Sequence, residues 1–207
     1  TMDVEDAISG IDGSAPEHQP NVNAHVLMTE SDASGYMGAT NYRTRYVGTT
    51  ACKYAFTPAI GTINGWGPWH ELGHMHQQQA WKWEGLGEVT VNIYTLAVER
   101  AMGVTPSRLS RDKIWPSVLT YLADTTSSKS FNSNISIPKN SNWIKLAMFH
   151  QLWMAFGDDF YKQLHKQTRT ERPNLSTTEQ KMRYFMLKSC TISGKNLTVF
   201  FKRWGFS

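Results

Sequence analysis

Apolar positions change period along this chain, from alternation in the first third to a helical spacing in the remainder. Over 21–29, Val22, Ala24, Val26 and Met28 occupy alternate positions, the pattern of a half-buried strand. The stretches 35–47 and 52–57, rich in Tyr, Thr and Val, read as further short strands. Residues 1–20 hold Gly10, Gly13, Pro16 and Pro20 and read as loop. Beyond them the spacing predicts a helix beginning at Pro68 or Trp69, since Pro suits a first helical turn. A second helix opens at Glu88 and runs to Arg100, followed by Met102-Gly103, with Gly common just past a helix end. Further helices are expected over 111–123, 142–156, 158–168, 177–190 and 196–204. In the second of these, Leu146, Phe149, Leu152, Trp153 and Phe156 recur at core spacing. The Ser/Asn-rich stretch 125–141 reads as a long surface loop. The expected fold class is α+β: a small, mostly antiparallel sheet in a strand-rich subdomain, 1–67, then a helical subdomain, 68–207, together one domain.

Composition narrows the classes of function. At 207 residues the chain can bury a sizeable core, and 40% hydrophobic with 18% charged residues is ordinary for a folded protein. The net charge of +4 collects late, from Lys162 and Lys166 to Lys202 and Arg203. Such spacing reads as solvated helix faces, and no reader motif accompanies it, so no nucleic-acid partner is expected. No apolar run approaches the roughly 20 residues that span a membrane. Cys52 and Cys190 are the two cysteines, and their pairing is open. The chain begins Thr1-Met2-Asp3 without a leader and is read as a domain excised from something longer.

The chemistry concentrates at His70-Glu71-Leu72-Gly73-His74. Two histidines four residues apart share one helix face, one turn apart, and can offer two imidazole nitrogens to one zinc ion. Glu71 points about 100° around the helix, so it can serve as general base without being a ligand. A hydrolytic zinc needs a third protein ligand and an open position. The extension that adds Gly at 77 and His at 80 is excluded, because this chain has Gln77 and Ala80. His76 points about 200° from the metal face and reads as structural or rim. A downstream carboxylate remains, and Glu84 and Glu88 compete. Glu84 precedes the turn Gly85-Leu86-Gly87, whereas Glu88 opens a helix that returns toward the motif, which favours Glu88. Glu99 lies about 16 Å further along that helix. Asn92, one turn after Glu88, is placed to accept the second ring N–H of a ligating histidine. Gly73, inside the motif helix, is expected where a neighbouring backbone comes close. Trp66, Trp69, Trp81 and Trp83 surround the motif as packing or as a sugar-stacking rim, with packing favoured. Tyr94, His150 and Tyr161 are weak candidates for stabilising an oxyanion.

The run 65–77 with Glu88-Val89-Thr90-Val91-Asn92-Ile93-Tyr94 resembles the enhancin-type metallopeptidases, a gluzincin family of viral enhancins and bacterial mucin-degrading enzymes. Asn41-Tyr42-Arg43, Gln151-Leu152, the run 156–161 and the ending 197–206 are similar too, so the resemblance runs from about residue 35 to the end. It implies a zincin-like catalytic domain, Zn2+ held by His70, His74 and Glu88, and Glu71 as general base. It also implies a secreted or cell-surface protease acting on O-glycosylated, mucin-like glycoproteins.

Overall fold

A computed structural model of the chain describes residues 1–20, 25–57, 65–126, 129–133 and 141–206. The chain forms two compact units, 1–77 with 91–105, and 78–90 with 106–207. The division does not fall at residue 67, because the motif helix keeps most of the helix after Glu88 beside it.

The first unit opens with α1 (Met2–Ile8), where a loop was expected; Asp3 and Glu5 in its first turn complement the helix dipole. A single 3-10 turn follows at Pro16–His18. The sheet has three strands, β1 (Leu27–Ser31), β2 (Met37–Ala39) and β3 (Arg43–Val47), in the order β1-β3-β2. Residues 21–24 of the expected first strand lie outside the described residues. The sheet is mixed, not mostly antiparallel. β2 pairs antiparallel with β3, from Met37 opposite Tyr46 to Ala39 opposite Thr44. β1 runs parallel to β3, from Leu27 beside Arg43 to Ser31 beside Val47. The short reversal after β2, closed by Thr40 N–H donating to Arg43 O at 2.7 Å, makes β3 the central strand and leaves its other edge to β1.

The expected strand over 52–57 is instead the second half of α2 (Gly48–Phe56). Ala51 and Ala55 lie one turn apart and are buried with Tyr46, with Met28, Met37 and Cys52 packed around them. Strand propensity at Tyr54 and Phe56 carried no weight, since both rings stay exposed. The motif helix, α3 (Trp66–Gly73), has Pro68 in its first turn and continues as a 3-10 turn, His74–His76. α4 (Gly87–Ala101) buries Val89, Val91, Ile93, Tyr94, Leu96, Ala97 and Val98, an apolar surface nearly all round. Gly73 is where α3 and α4 meet. A Cβ there would stand 3.1 Å from the Val91 carbonyl oxygen and 3.2 Å from Tyr94 Cβ.

The second unit contains a 3-10 turn at Gln79–Trp81 and helices α5 (Arg108–Arg111), α6 (Ile114–Ala123), α7 (Ser141–Phe156), α8 (Asp158–Glu171), α9 (Thr178–Ser193) and α10 (Thr198–Arg203). The five expected late helices correspond to α6 through α10. α9 begins with a capping box: the Thr177 hydroxyl accepts from Gln180 N–H, and Gln180 Oε1 accepts from Thr177 N–H, both at 3.2 Å. The core is aromatic. Trp83 has Phe131, Phe149, Phe185 and Phe206 within 6.5 Å, ring centre to ring centre. Phe131 anchors the described part of the expected loop, fully buried and donating its N–H to Gly205 O at 3.1 Å. Positions 127–128 and 134–140 of that loop lie outside the described residues. Cys52 and Cys190 are both free thiols. No helix among the described residues is long and apolar enough to cross a membrane.

Candidate metal centre

α3 presents His70 inside its last turn and His74 at its C-terminal cap, where the backbone is still helical at φ −57° and ψ −27°. The two imidazoles therefore stay one turn apart, edge to face, with ring centres 4.8 Å apart. After the 3-10 turn at Gln79–Trp81, the chain reverses at Gly85, whose φ of +79° lies in the left-handed region open to glycine. α4 then begins, with Glu88 in its first turn. His70, His74 and Glu88 each offer one ligand atom, and these atoms lie within 4.8 Å of one another. Tetrahedral zinc, with bonds of about 2.0–2.1 Å, draws its ligand atoms to roughly 3.4 Å, a change within reach of side-chain rotation. Neither Glu84 nor Glu99 belongs to this group.

The histidines are oriented by uncharged amides. His70 Nδ1 lies 2.8 Å from Asn92 Oδ1, and His74 Nδ1 lies 2.9 Å from Gln77 Oε1. An amide oxygen only accepts, so each Nδ1 carries the proton and each Nε2 keeps the lone pair a metal needs. Asn92 was anticipated from its place one turn past Glu88. Gln77 was noticed only as a residue that excludes a histidine-rich extension. Its signal was local: three residues past His74, across a turn that continues the helix, it lies on the same side as that histidine.

Glu71, next to His70, is 8% exposed. The phenol of Tyr46, buried on β3, is pushed up by burial, with the charge of Glu71 adding to the effect, so β3 lies within the field of the motif carboxylate. His76 faces away from the metal group, as its position predicted. Its Nε2 is 2.9 Å from Asp6 Oδ1 and its Nδ1 is 3.3 Å from Glu5 Oε2. Burial works to lower the His76 pKa, but the two carboxylates of α1 outweigh it and push it up to about 9. Tyr94 O–H donates to the His76 carbonyl at 2.7 Å, fixing the turn that follows His74.

Tyr94 and Tyr161 are fully buried, and each hydroxyl is committed to a backbone carbonyl, that of Tyr161 to Phe149 O at 2.7 Å. His150 sits among tryptophans, 6.1 Å from Trp115 and 6.0 Å from Trp153 between ring centres. Trp69, Trp81 and Trp83 are core residues, and only Trp66 of the four is half-buried.

A helix-rich domain with two histidines and a carboxylate gathered beside a buried glutamate has the form of a metal-dependent hydrolase. The family model for peptidase M60, enhancin and enhancin-like, matches residues 1–205, and the chain belongs to that family. A functionally unknown conserved protein from Bacillus anthracis str. Ames has a similar structure, with 35% identity and a TM-score of 0.85 over 99% of this chain and 41% of that one. The M60 catalytic domain of Clostridium perfringens ZmpC, solved in complex with the sialyl T antigen, shares the fold at 20% identity and a TM-score of 0.71, over 99% of this chain and 38% of that one. TRPM8 channel-associated factor 3 of Rattus norvegicus is 29% identical over 142 residues, which is 68% of this chain and 15% of that protein. The chain thus spans only a small part of the curated relatives it matches.

Proposed function

We propose that the chain is a zinc-dependent endopeptidase that hydrolyses peptide bonds in O-glycosylated, mucin-like glycoproteins, secreted or at a cell surface. The observation that carries this reading is the donor set. Two imidazoles with their Nδ1 atoms anchored on Asn92 and Gln77 converge with Glu88, while Glu71 adjoins them on the motif helix. Two neutral nitrogens and one carboxylate suit zinc, and three protein ligands leave a position open for chemistry. When bound, zinc supplies a Lewis acid that polarises a carbonyl and acidifies water toward neutral pH.

The chain's own residues do the rest. His70 and His74 are held in one tautomer by their amide partners, so neither exchanges a proton during turnover. Glu71 is the proton carrier. It accepts a proton from the attacking water and returns it to the leaving amine. It is largely buried, at 8% exposure, directly after His70 on the motif helix. The glycoprotein substrate is supported by the sialyl T antigen bound to the similar M60 domain, and by this chain's cationic surplus.

A second reading, a glycoprotein-binding module that keeps zinc for structure, draws on the relative named for association with a channel. Glu71 weighs against it, since structural zinc needs no base. The test is to incubate the zinc-loaded chain and its Glu71→Ala variant with a mucin-type O-glycopeptide and to detect new termini by mass spectrometry. Wild type should cleave, and the variant should lose about 10²–10⁴-fold in rate while retaining zinc. Undiminished cleavage by the variant would refute the role of Glu71. Binding without cleavage by either protein would favour the module.

A further inference from the structure

The second unit contains a cavity of about 510 Å³ that shares no residue with the metal group. It lies where the end of α6 and the chain after it meet α10 and the residues that follow. Three cations line it, Lys129, Lys202 and Arg203, against one carboxylate, Asp124. That carboxylate is engaged locally, with Asp124 Oδ1 accepting from Thr126 N–H at 2.9 Å. No acidic side chain pairs with Lys202 or Arg203 among the described residues.

Lys129 is the organised member of the trio. Its Nζ donates to the Asp124 carbonyl at 3.0 Å and sits 4.4 Å above the centre of the Tyr121 ring. Its pKa is lowered, first by burial and further by the charge of Arg203, with Asp124 opposing. Lys129 and Arg203 therefore lie in each other's field, and their repulsion is relieved by an anion placed between them. An ammonium has three donors, and the Asp124 carbonyl accounts for one.

The rest of the lining is mixed, with Leu122, Ala123 and Val199 apolar and Thr125 and Thr126 bearing hydroxyls. Val199 is 70% exposed, whereas Phe206, also in the lining, is 4% exposed and belongs to the core. A bare inorganic anion gains nothing from the apolar part of this lining, whereas a sugar ring has an apolar face to lay on it and hydroxyls to meet polar partners. The volume lies within the range of small-molecule sites.

We propose that this cavity is an accessory binding site for a small acidic saccharide. Its carboxylate or sulfate ester is held by Lys129, Lys202 and Arg203, and its ring lies against the exposed Val199, with Thr125 and Thr126 within the same lining for its hydroxyls. Charge-assisted hydrogen bonds supply the selectivity for the acid, and the mixed lining supplies the selectivity for a sugar over a simple ion.

The test is titration of the 207-residue chain, by calorimetry and by amide chemical shifts of residues 199–206, with sialyllactose, a sulfated galactose, lactose and inorganic sulfate. At least one acidic sugar should shift those amides, with an affinity that falls with added salt and drops by about tenfold or more in the Lys202→Gln/Arg203→Gln double variant. The sialylated and sulfated probes separate a carboxylate ligand from a sulfate ester. Both substituted side chains are exposed, so the fold should be unaffected, with circular dichroism as the check. Equal binding of lactose, sulfate binding as tight as that of both acidic sugars, no shift with either acid, or unchanged affinity in the double variant would each overturn the proposal. Glu71→Ala should leave the affinity unchanged, which separates this site from the peptidase reading.

Discussion

His70 Nδ1 lies 2.8 Å from Oδ1 of Asn92, and Asn92 follows Glu88 by one turn of α4. One helix therefore carries both a candidate ligand and the group that orients another. Removing the acceptor with Asn92→Leu should weaken zinc binding by about 10–100-fold, measured by competition with a chromophoric chelator. Asn92→Asp keeps an acceptor and should retain most of the affinity. Equal losses in both variants would assign Asn92 to packing.

Gln77 performs the same service for His74 at 2.9 Å. Gln77→Ala should also lower zinc affinity, by about tenfold, with little change in the helical circular dichroism. Wild-type affinity in Gln77→Ala would show that the turn alone suffices to aim His74.

Zinc that binds the folded state raises its stability by about 2.7 kcal/mol when the free ion stands at 100 times its dissociation constant. A rise in melting temperature with zinc, reversed by EDTA, is expected for wild type and for Glu84→Ala. Glu88→Ala should show little or none. The opposite ranking of the two variants would make Glu84 the third ligand.

Gly73→Ala tests the contact between α3 and α4. Ala is favoured over Gly within a helix by about 1 kcal/mol. Here the added methyl would meet the Val91 carbonyl at 3.1 Å and Tyr94 Cβ at 3.2 Å, atoms of a buried helix that cannot turn aside. Overpacking of that kind costs about 1–3 kcal/mol, so the sign should be net destabilisation, read as a lower urea midpoint. A rise in the midpoint would mean that α4 shifts freely.

Trp83 is 2% exposed, and its Nε1–H donates to Asn132 Oδ1 at 2.8 Å. Trp83→Ala should cost about 3–5 kcal/mol, whereas the half-buried Trp66 should cost much less. Similar urea midpoints for the two variants would count against the aromatic centre of the second unit.

The helical part of the chain could be read from its spacing because the signals there are local. Apolar residues at 146, 149, 152 and 153 mark one helix, and Glu88 with Gly103 bracket another. The clustering of His70, His74 and Glu88 was readable for the same reason, since a four-residue separation of histidines and a glycine turn dictate most of its geometry. The sheet was not. Whether β1 lies beside β2 or β3 depends on pairing across residues distant in sequence, and periodicity is blind to it. The segment 52–57 failed differently, because Ala51 and Ala55 carry little apolar weight yet make the helical face that packs on Tyr46. α1 escaped notice because the partner of Glu5 and Asp6, His76, lies some seventy residues on.

The choice of amides beside His70 and His74 has a consequence in charge. A carboxylate in either place would make its imidazole a stronger donor and drain positive character from a bound ion. Asn92 and Gln77 fix orientation without that donation. A divalent ion here would face one formal negative ligand, Glu88, and keep a unit of positive charge that Glu71, when ionised, balances from beside the ligands. When Glu71 takes a proton from the attacking water, the negative charge would pass to the attacking oxygen, so the net charge of the site would stay the same while the nucleophile is made.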